Sequence, residues 1–348
     1  MSPYTLSMFL FTLGLGTTIT FASSHWLLAW MGLEINTLAI LPLMTQSHHP
    51  RAVEAATKYF LTQATAAATL LFASVTNAWL TGQWNICLTS HPVPTTMIIL
   101  AISLKIGLAP LHIWLPEVLQ GLNLMTGLVL STWQKLAPIA LLLQTPLAGH
   151  KVLMIMALLS AVVGGWGGLN QTQLRKVLAY SSIAHLGWMM IVIQFMPQLT
   201  LLTLALYLIM TSATFLTLHR CNSTTINTLA SSWSNSPLLT AMFPLVLLSL
   251  GGLPPLTGFL PKWMILQELT KQSLPLPATL MAMAALLSLY FYLRLSYSMT
   301  LTISPNTLTN TAPWRLNPRE QFTPLAPFVL MTTSLLPITP AIIAMISY

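Results

Sequence analysis

A chain of 348 residues that is 55% hydrophobic, 5% charged and of mean hydropathy +0.75 cannot build a charged shell around a soluble core, since soluble domains carry about 25% charged residues. A soluble globular domain, a disordered chain and a disulfide-stapled secreted module are excluded, which leaves an all-α integral membrane protein in a lipid bilayer. The net charge of +8 comes from scattered Lys and Arg with no basic run among interleaved aromatics, so it reads as membrane-flanking charge with no nucleic-acid partner.

Apolar runs of roughly 20 residues mark spanning helices, and about eleven meet that criterion. In chain order they are 3–22, 26–45, 57–80, 95–116, 123–144, 151–170, 173–195, 198–219, 237–258, 275–297 and 324–346. Turn-like connections such as Ser47-His48-His49-Pro50 and Asn222-Ser223-Thr224 separate them, and 298–323 is the longest polar stretch. One polytopic domain, 1–348, accounts for the pattern. The basic residues Arg51, Lys58, Arg175, Lys176, Arg220, Arg315 and Arg319 fall on the N-terminal side of the membrane, against Lys151 and Lys271 opposite. That asymmetry puts the N-terminus inside. No basic n-region precedes the first span, so no cleavable signal peptide is expected. Cys87 and Cys221 cannot by themselves hold an iron–sulfur cluster or a structural zinc, and read as inert small hydrophobes.

Four ionisable residues read as intramembrane: Glu34, Lys105, Lys135 and Lys262. Each costs at least ~2.5–3.5 kcal/mol near a bilayer centre. Lys105 and Lys135 lie about ten residues from either end of their spans, too deep to snorkel. One reading is a structural ion pair, Glu34 with Lys105. The other is a proton relay, because a desolvated lysine loads and releases a proton when a nearby charge moves. His112 and His185 also lie within spans, and either relay or packing fits each. Lys105 and His112 share a face if their helix continues. Glu54 and Lys58, four apart, fit an interfacial ion pair. Arg294, near a helix end, reads as structural, and Glu117 fits either role.

Two segments match each other. Gly107 to Glu117 reads GLAPLHIWLPE, and Gly252 to Lys262 reads GLPPLTGFLPK, with six of eleven positions identical. The glycine and the aligned prolines carry the weight of that match. Pro110 and Pro116 in one, and Pro254, Pro255 and Pro261 in the other, should break a helix at membrane depth. Such breaks are tolerated where they are packed in protein or line a polar cavity, and paired occurrences point to a transport site. Residues 1–144 and 151–297 would then be two five-helix repeats, inverted because each has an odd number of helices, with 298–348 a polar connection and a final helix. The run Gly164 to Gly168 has the wrong spacing for a nucleotide loop.

Ser103 to Gly121 (SLKIGLAPLHIWLPEVLQG) and Ala179 to Trp188 (AYSSIAHLGW) resemble the signature of the antiporter-like subunits of respiratory complex I, the proton-pumping NADH:ubiquinone oxidoreductase. The length and Gly32 to Asn36 (GLEIN) resemble the shorter form of such a subunit found in animal mitochondria. The resemblance covers the whole chain. It implies a channel whose axis holds Glu34, Lys105, His112, Lys135, His185 and Lys262, driven by redox chemistry elsewhere. It also implies a multi-pass location in the mitochondrial inner membrane with the N-terminus on the matrix side. NADH, flavin, iron–sulfur clusters and ubiquinone would belong to other subunits, with other membrane and accessory subunits as partners and no cofactor on this chain. The rival readings are a self-standing cation/proton antiporter and a scaffold whose buried charges only join helices.

Overall fold

The computed structural model describes residues 2–89, 91–146, 151–234, 236–301, 324–339, 341 and 344. Several helices begin where the sequence supplies a proline or a side-chain cap. In α1 (Pro3–Ala22) and α3 (Pro50–Thr81) a first-turn proline forgoes an N–H that would lack a partner anyway, and Ser2 or His49 accepts a backbone N–H. His25 caps α2 (Trp26–Met44) in the same way. Pro50 therefore starts α3 earlier than the apolar run 57–80, and Gly82, at φ 72°, ends it. The remaining helices are α4 (Pro92–Ile106), α5 (Trp114–Gly121), α6 (Leu124–Ser131), α7 (Trp133–Gln144), α8 (Lys151–Gly167), α9 (Leu174–Val192), α10 (Pro197–Arg220), α11 (Ile226–Ser231), α12 (Pro237–Gly251), α13 (Phe259–Lys271), α14 (Pro275–Thr300) and α15 (Leu325–Ser334).

Among the described residues no β-strand occurs, and six helical stretches are long and apolar enough to cross a membrane, α6 and α7 counting together as one, Leu124–Gln144. The turns at Ser47–Pro50 and Asn222–Thr224 are present, with His48 and Asn222 left-handed. Three expectations need correction. The run 95–116 is two helices, α4 and α5, with residues 107–113 between them. The run 123–144 breaks at Thr132, and 237–258 ends at Gly251 and is followed by an unforeseen helix, α13. The polar stretch beyond Leu301, with Arg315 and Arg319, and the end of the last run lie outside the described residues.

The chain forms two compact units, Met1–Ser160 with Ile193–Phe195 and Ala161–Val192 with Met196–Tyr348. In the first, α2 packs on α1 and α3, α3 on α4 and α5, and α7 on α1, α2 and α4. In the second, α10 packs on α9, α12, α13 and α15, while α14 packs on α12 and α13. One small device occurs in both. The linker before α2 pairs with the linker after α3 through Trp26 N–H to Trp84 O and Ile86 N–H to Ser24 O. The linker before α9 pairs with the linker after α10 through Leu174 N–H to Thr224 O and Ile226 N–H to Thr172 O.

The glycines at 164–168 serve packing. A Cβ on Gly164 would lie 2.6 Å from the Ala184 nitrogen, so these helices approach at a distance that a side chain forbids. Arg294, on α14, donates its two terminal nitrogens to the backbone carbonyls of Leu169 and Gln171. Burial pushes the Cys221 thiol up, as suits an inert residue, whereas Cys87 is exposed.

Candidate functional site

The break between α4 and α5 begins at Gly107, φ 88°, a left-handed conformation that glycine adopts without a Cβ penalty. The N–H groups of Gly107 and Leu108 both return to the Ser103 carbonyl. Pro110 has no N–H to offer Ile106, four residues back. The Trp114 indole donates to the Leu104 carbonyl at 3.0 Å and so fastens α5 against the end of α4. Lys105 consequently sits one residue from a helix end, not at mid-helix, with 6% of its surface exposed. Its Nζ has no hydrogen-bond partner among the described residues.

Thr132 interrupts the next span, so Lys135 is the third residue of α7 rather than the centre of one long helix. Pro138, inside α7, leaves the Gln134 carbonyl without its helical donor. Lys105 and Lys135 line one cavity, together with Asn36, Thr37, Tyr59, Gln63 and Gln134 and an apolar wall that includes Leu33, Trp114 and Pro138. The cavity, ≈ 20 Å³, fits about one water. Gln63 Nε2 donates to the Lys105 carbonyl at 3.5 Å and Gln134 Nε2 to the Asn36 carbonyl at 3.3 Å. The Asn36 amide and Glu34 Oε2 are buried without a partner among the described residues. Glu34 is the carboxylate whose field reaches both Lys105 and Tyr59, yet no bond within 4.0 Å joins it to Lys105.

A buried polar group without a partner costs about 1–3 kcal/mol. Stability alone does not select this arrangement. The Glu34–Lys105 pair proposed as a helix lock is not formed.

The second break, between α12 and α13, repeats the backbone. Gly252 lies at φ 77°, and Leu253 N–H returns to the Leu248 carbonyl as Leu108 N–H does to Ser103. The Ala109–Pro110 and Pro254–Pro255 peptides at the aligned positions are both cis. Here the charge follows the break. Lys262, 8% exposed, reaches back to donate to the Gly251 carbonyl at 2.7 Å. Pro255 cannot serve that carbonyl, so the lysine does. Its ammonium also lies 6.0 Å from the Trp188 ring, within cation–π range.

The histidines are less central. The α4 helix does not continue to His112, so Lys105 and His112 do not share a helical face. His112 accompanies the Pro110 carbonyl and does not line the cavity. His185, on α9 one turn before Trp188, packs at 5.7 Å against the Tyr207 ring. Glu117 closes a network with Lys58, which bonds both Glu54 and Glu117 at 2.8 Å.

The sequence reading missed Tyr59, Gln63, Asn36, Gln134 and Glu268. The signal for the first two was a Tyr–Gln pair four apart on one face of α3, opposite its exposed stripe. Glu268, 8% exposed, is the one carboxylate among the buried charged residues described.

Fold and site define a class: a multi-pass helical membrane protein whose helices break beside buried lysines. Residues 23–288 match the family described as NADH:quinone oxidoreductase/Mrp antiporter, transmembrane, and residues 289–343 match the C-terminus of NADH dehydrogenase subunit 2. The NADH-ubiquinone oxidoreductase chain 2 of Oncorhynchus mykiss is 68% identical over 348 residues, 100% of both chains. A chain of respiratory complex I from Thermus thermophilus superposes with a TM-score of 0.83 at 28% identity, covering 97% of this chain and 78% of that one. A chain of the Mrp complex from Dietzia shares the fold, with a TM-score of 0.79 at 17% identity over 91% of this chain and 64% of that one. The chain belongs to the NADH-ubiquinone oxidoreductase chain 2 family of antiporter-like membrane proteins.

Proposed function

We propose that this chain is a core membrane-arm subunit of proton-translocating NADH:ubiquinone oxidoreductase and forms one of its proton channels. The observation that carries the reading is the cavity shared by Lys105 and Lys135, with unpartnered polar groups around it. Its proton-transfer residues are Glu34, Lys105, His112 and Lys135 in the first unit and His185 and Lys262 in the second. Two ammonium groups in one low-dielectric cavity repel each other, so the pair favours one proton over two. A charge change at Glu34 alters the proton occupancy of Lys105, and Lys135 takes up the displaced proton.

The chain works in the mitochondrial inner membrane among other membrane and accessory subunits. NADH, flavin, iron–sulfur clusters and ubiquinone are held by those partners, which perform the redox steps. The N-terminus faces the matrix, on the balance of Arg51, Lys58, Arg175, Lys176, Arg220, Arg315 and Arg319 against Lys151 and Lys271. Residues 1–144 and 151–297 are related repeats, a reading supported by the matched breaks. Full-length identity to a named oxidoreductase chain favours this over a self-standing antiporter, since the likeness to the Mrp complex is one of fold.

The test is Lys135→Met in the fully assembled complex, reconstituted in liposomes. NADH-driven proton uptake should fall about tenfold or more, since losing a proton-transfer group usually costs about 100-fold or more in rate. Unchanged protons per NADH would sink the reading.

A further inference from the structure

Glu268 has no part in the route described so far. It lies on α13, the helix that carries Lys262, six residues further on, or ~9 Å along the axis. Its backbone position is in the last turn of α13, which ends at Lys271 and passes through the exposed residues Gln272 and Ser273 into α14. Its Oε1 accepts a hydrogen bond from Gln272 Nε2 at 3.0 Å. Its Oε2 lies 3.8 Å from Lys271 Nζ, and the two side chains are 10% and 62% exposed respectively. The carboxylate thus stands with one face in the protein interior and one neighbour in the exposed turn.

Stability does not account for this residue. The C-terminal end of a helix carries the negative pole of its dipole, which opposes a carboxylate in the last turn. Burying an ionised carboxylate costs more than a single, largely exposed lysine at 3.8 Å returns. A glutamine would keep the bond to Gln272 without the charge. What a glutamate adds is a group that takes and gives a proton.

We infer that Glu268 is the proton-exchange carboxylate of the second unit, passing protons between Lys262 and the aqueous turn at Lys271. The inference rests on the proton-channel reading and extends it to an outlet at the end of α13. Lys271 holds the outer oxygen of Glu268 by its charge, and is a positioning residue. In one half-cycle Glu268 takes the proton that Lys262 releases. In the other it releases that proton at the exposed turn, and returns to the carboxylate.

The test uses the assembled complex in liposomes, with NADH-driven proton uptake and NADH oxidation read together. Glu268→Gln should lower proton uptake about tenfold or more, whereas Glu268→Asp, which keeps the ionisable group, should restore most of it. Glu268→Gln with wild-type uptake overturns the inference, as does a Glu268→Asp variant as impaired as the glutamine. Lys271→Glu guards against failure of Glu268→Gln to assemble, because that side chain is largely exposed. It places a like charge beside the carboxylate and should at least halve uptake. Unchanged uptake in an assembled Lys271→Glu complex also overturns the inference. Lys262→Met separates this inference from its foundation. If Lys262→Met abolishes pumping and Glu268→Gln does not, only the outlet is wrong. If neither variant affects pumping, the channel reading itself fails.

Discussion

The two broken helices share a backbone and differ in where they put the charge. Each α-helix ends on a left-handed glycine, each returns an N–H five residues back, and each places a proline where the last carbonyl needs a donor. In the second break Lys262 follows the interruption and satisfies the Gly251 carbonyl. In the first, Lys105 precedes the interruption and its ammonium opens on a polar cavity without a partner among the described residues, while Trp114, not a lysine, donates back to α4. Leu250 stands at the position that corresponds to Lys105, and Glu117, turned out towards Lys58, at the one that corresponds to Lys262. The repeated backbone is therefore a holder. What each lysine touches depends on which side of the break it occupies.

Paired substitutions break that comparison with the largest effect. Lys105→Met removes an unpartnered buried group, so the complex should assemble at wild-type levels while proton uptake falls about tenfold or more. Lys262→Met also cuts uptake, but it strips the Gly251 carbonyl of its donor at a cost of about 1–3 kcal/mol. Thermal unfolding of the purified complexes, followed beside pumping, separates the two. Equal destabilisation by both would mean that the lysines play the same part, and the contrast drawn here would be lost.

Substitutions at the glycines sharpen the comparison with a smaller effect. An alanine at either left-handed position costs about 1–2 kcal/mol in backbone strain alone. At Gly107 the new Cβ would meet Leu115 Cδ1 at 3.0 Å, a side chain able to yield. At Gly252 it would lie 2.8 Å from Lys262 Cδ and 3.0 Å from its Nζ. Gly252→Ala should therefore lose stability and also impair pumping by moving the lysine. Gly107→Ala should lose stability with pumping per assembled complex largely kept. The two variants are compared by assembly on native gels and by uptake per unit of assembled enzyme.

The breaks were legible because proline acts locally: Pro110 and Pro255 remove a donor whatever surrounds them. The place of the lysines along their helices was misread for a related reason. Hydropathy sees Lys105 and Lys135 inside long apolar runs and cannot see that the runs stop at Gly107 and Thr132. The cavity partners Tyr59, Gln63 and Asn36 were hidden because they lie on different helices from the lysines, and only packing of α2, α3, α4 and α7 brings them together. Glu268 falls between the apolar runs 237–258 and 275–297, because α13 is short and amphipathic rather than a span. Local chemistry could be read from the chain, and convergence of separate helices could not.

The smallest effect belongs to the outward-facing charge of the first break. Glu117→Gln removes one of two carboxylates on Lys58, and Glu54 stays within 2.8 Å on the same helix face. The side chains of Lys58 and Glu117 are 43% and 47% exposed, so water replaces what the pair loses. Thermal stability and proton uptake should both match the wild type within error, and more closely at high salt, where such pairs are already screened. Charge reversal gives the stricter form. Glu117→Lys puts a second ammonium beside Lys58, yet α5 remains fastened to α4 by Trp114, so pumping should survive there too. Loss of uptake in Glu117→Lys with the complex assembled would show that the charge after the first break is coupled to transport. The two breaks would then be functionally alike after all.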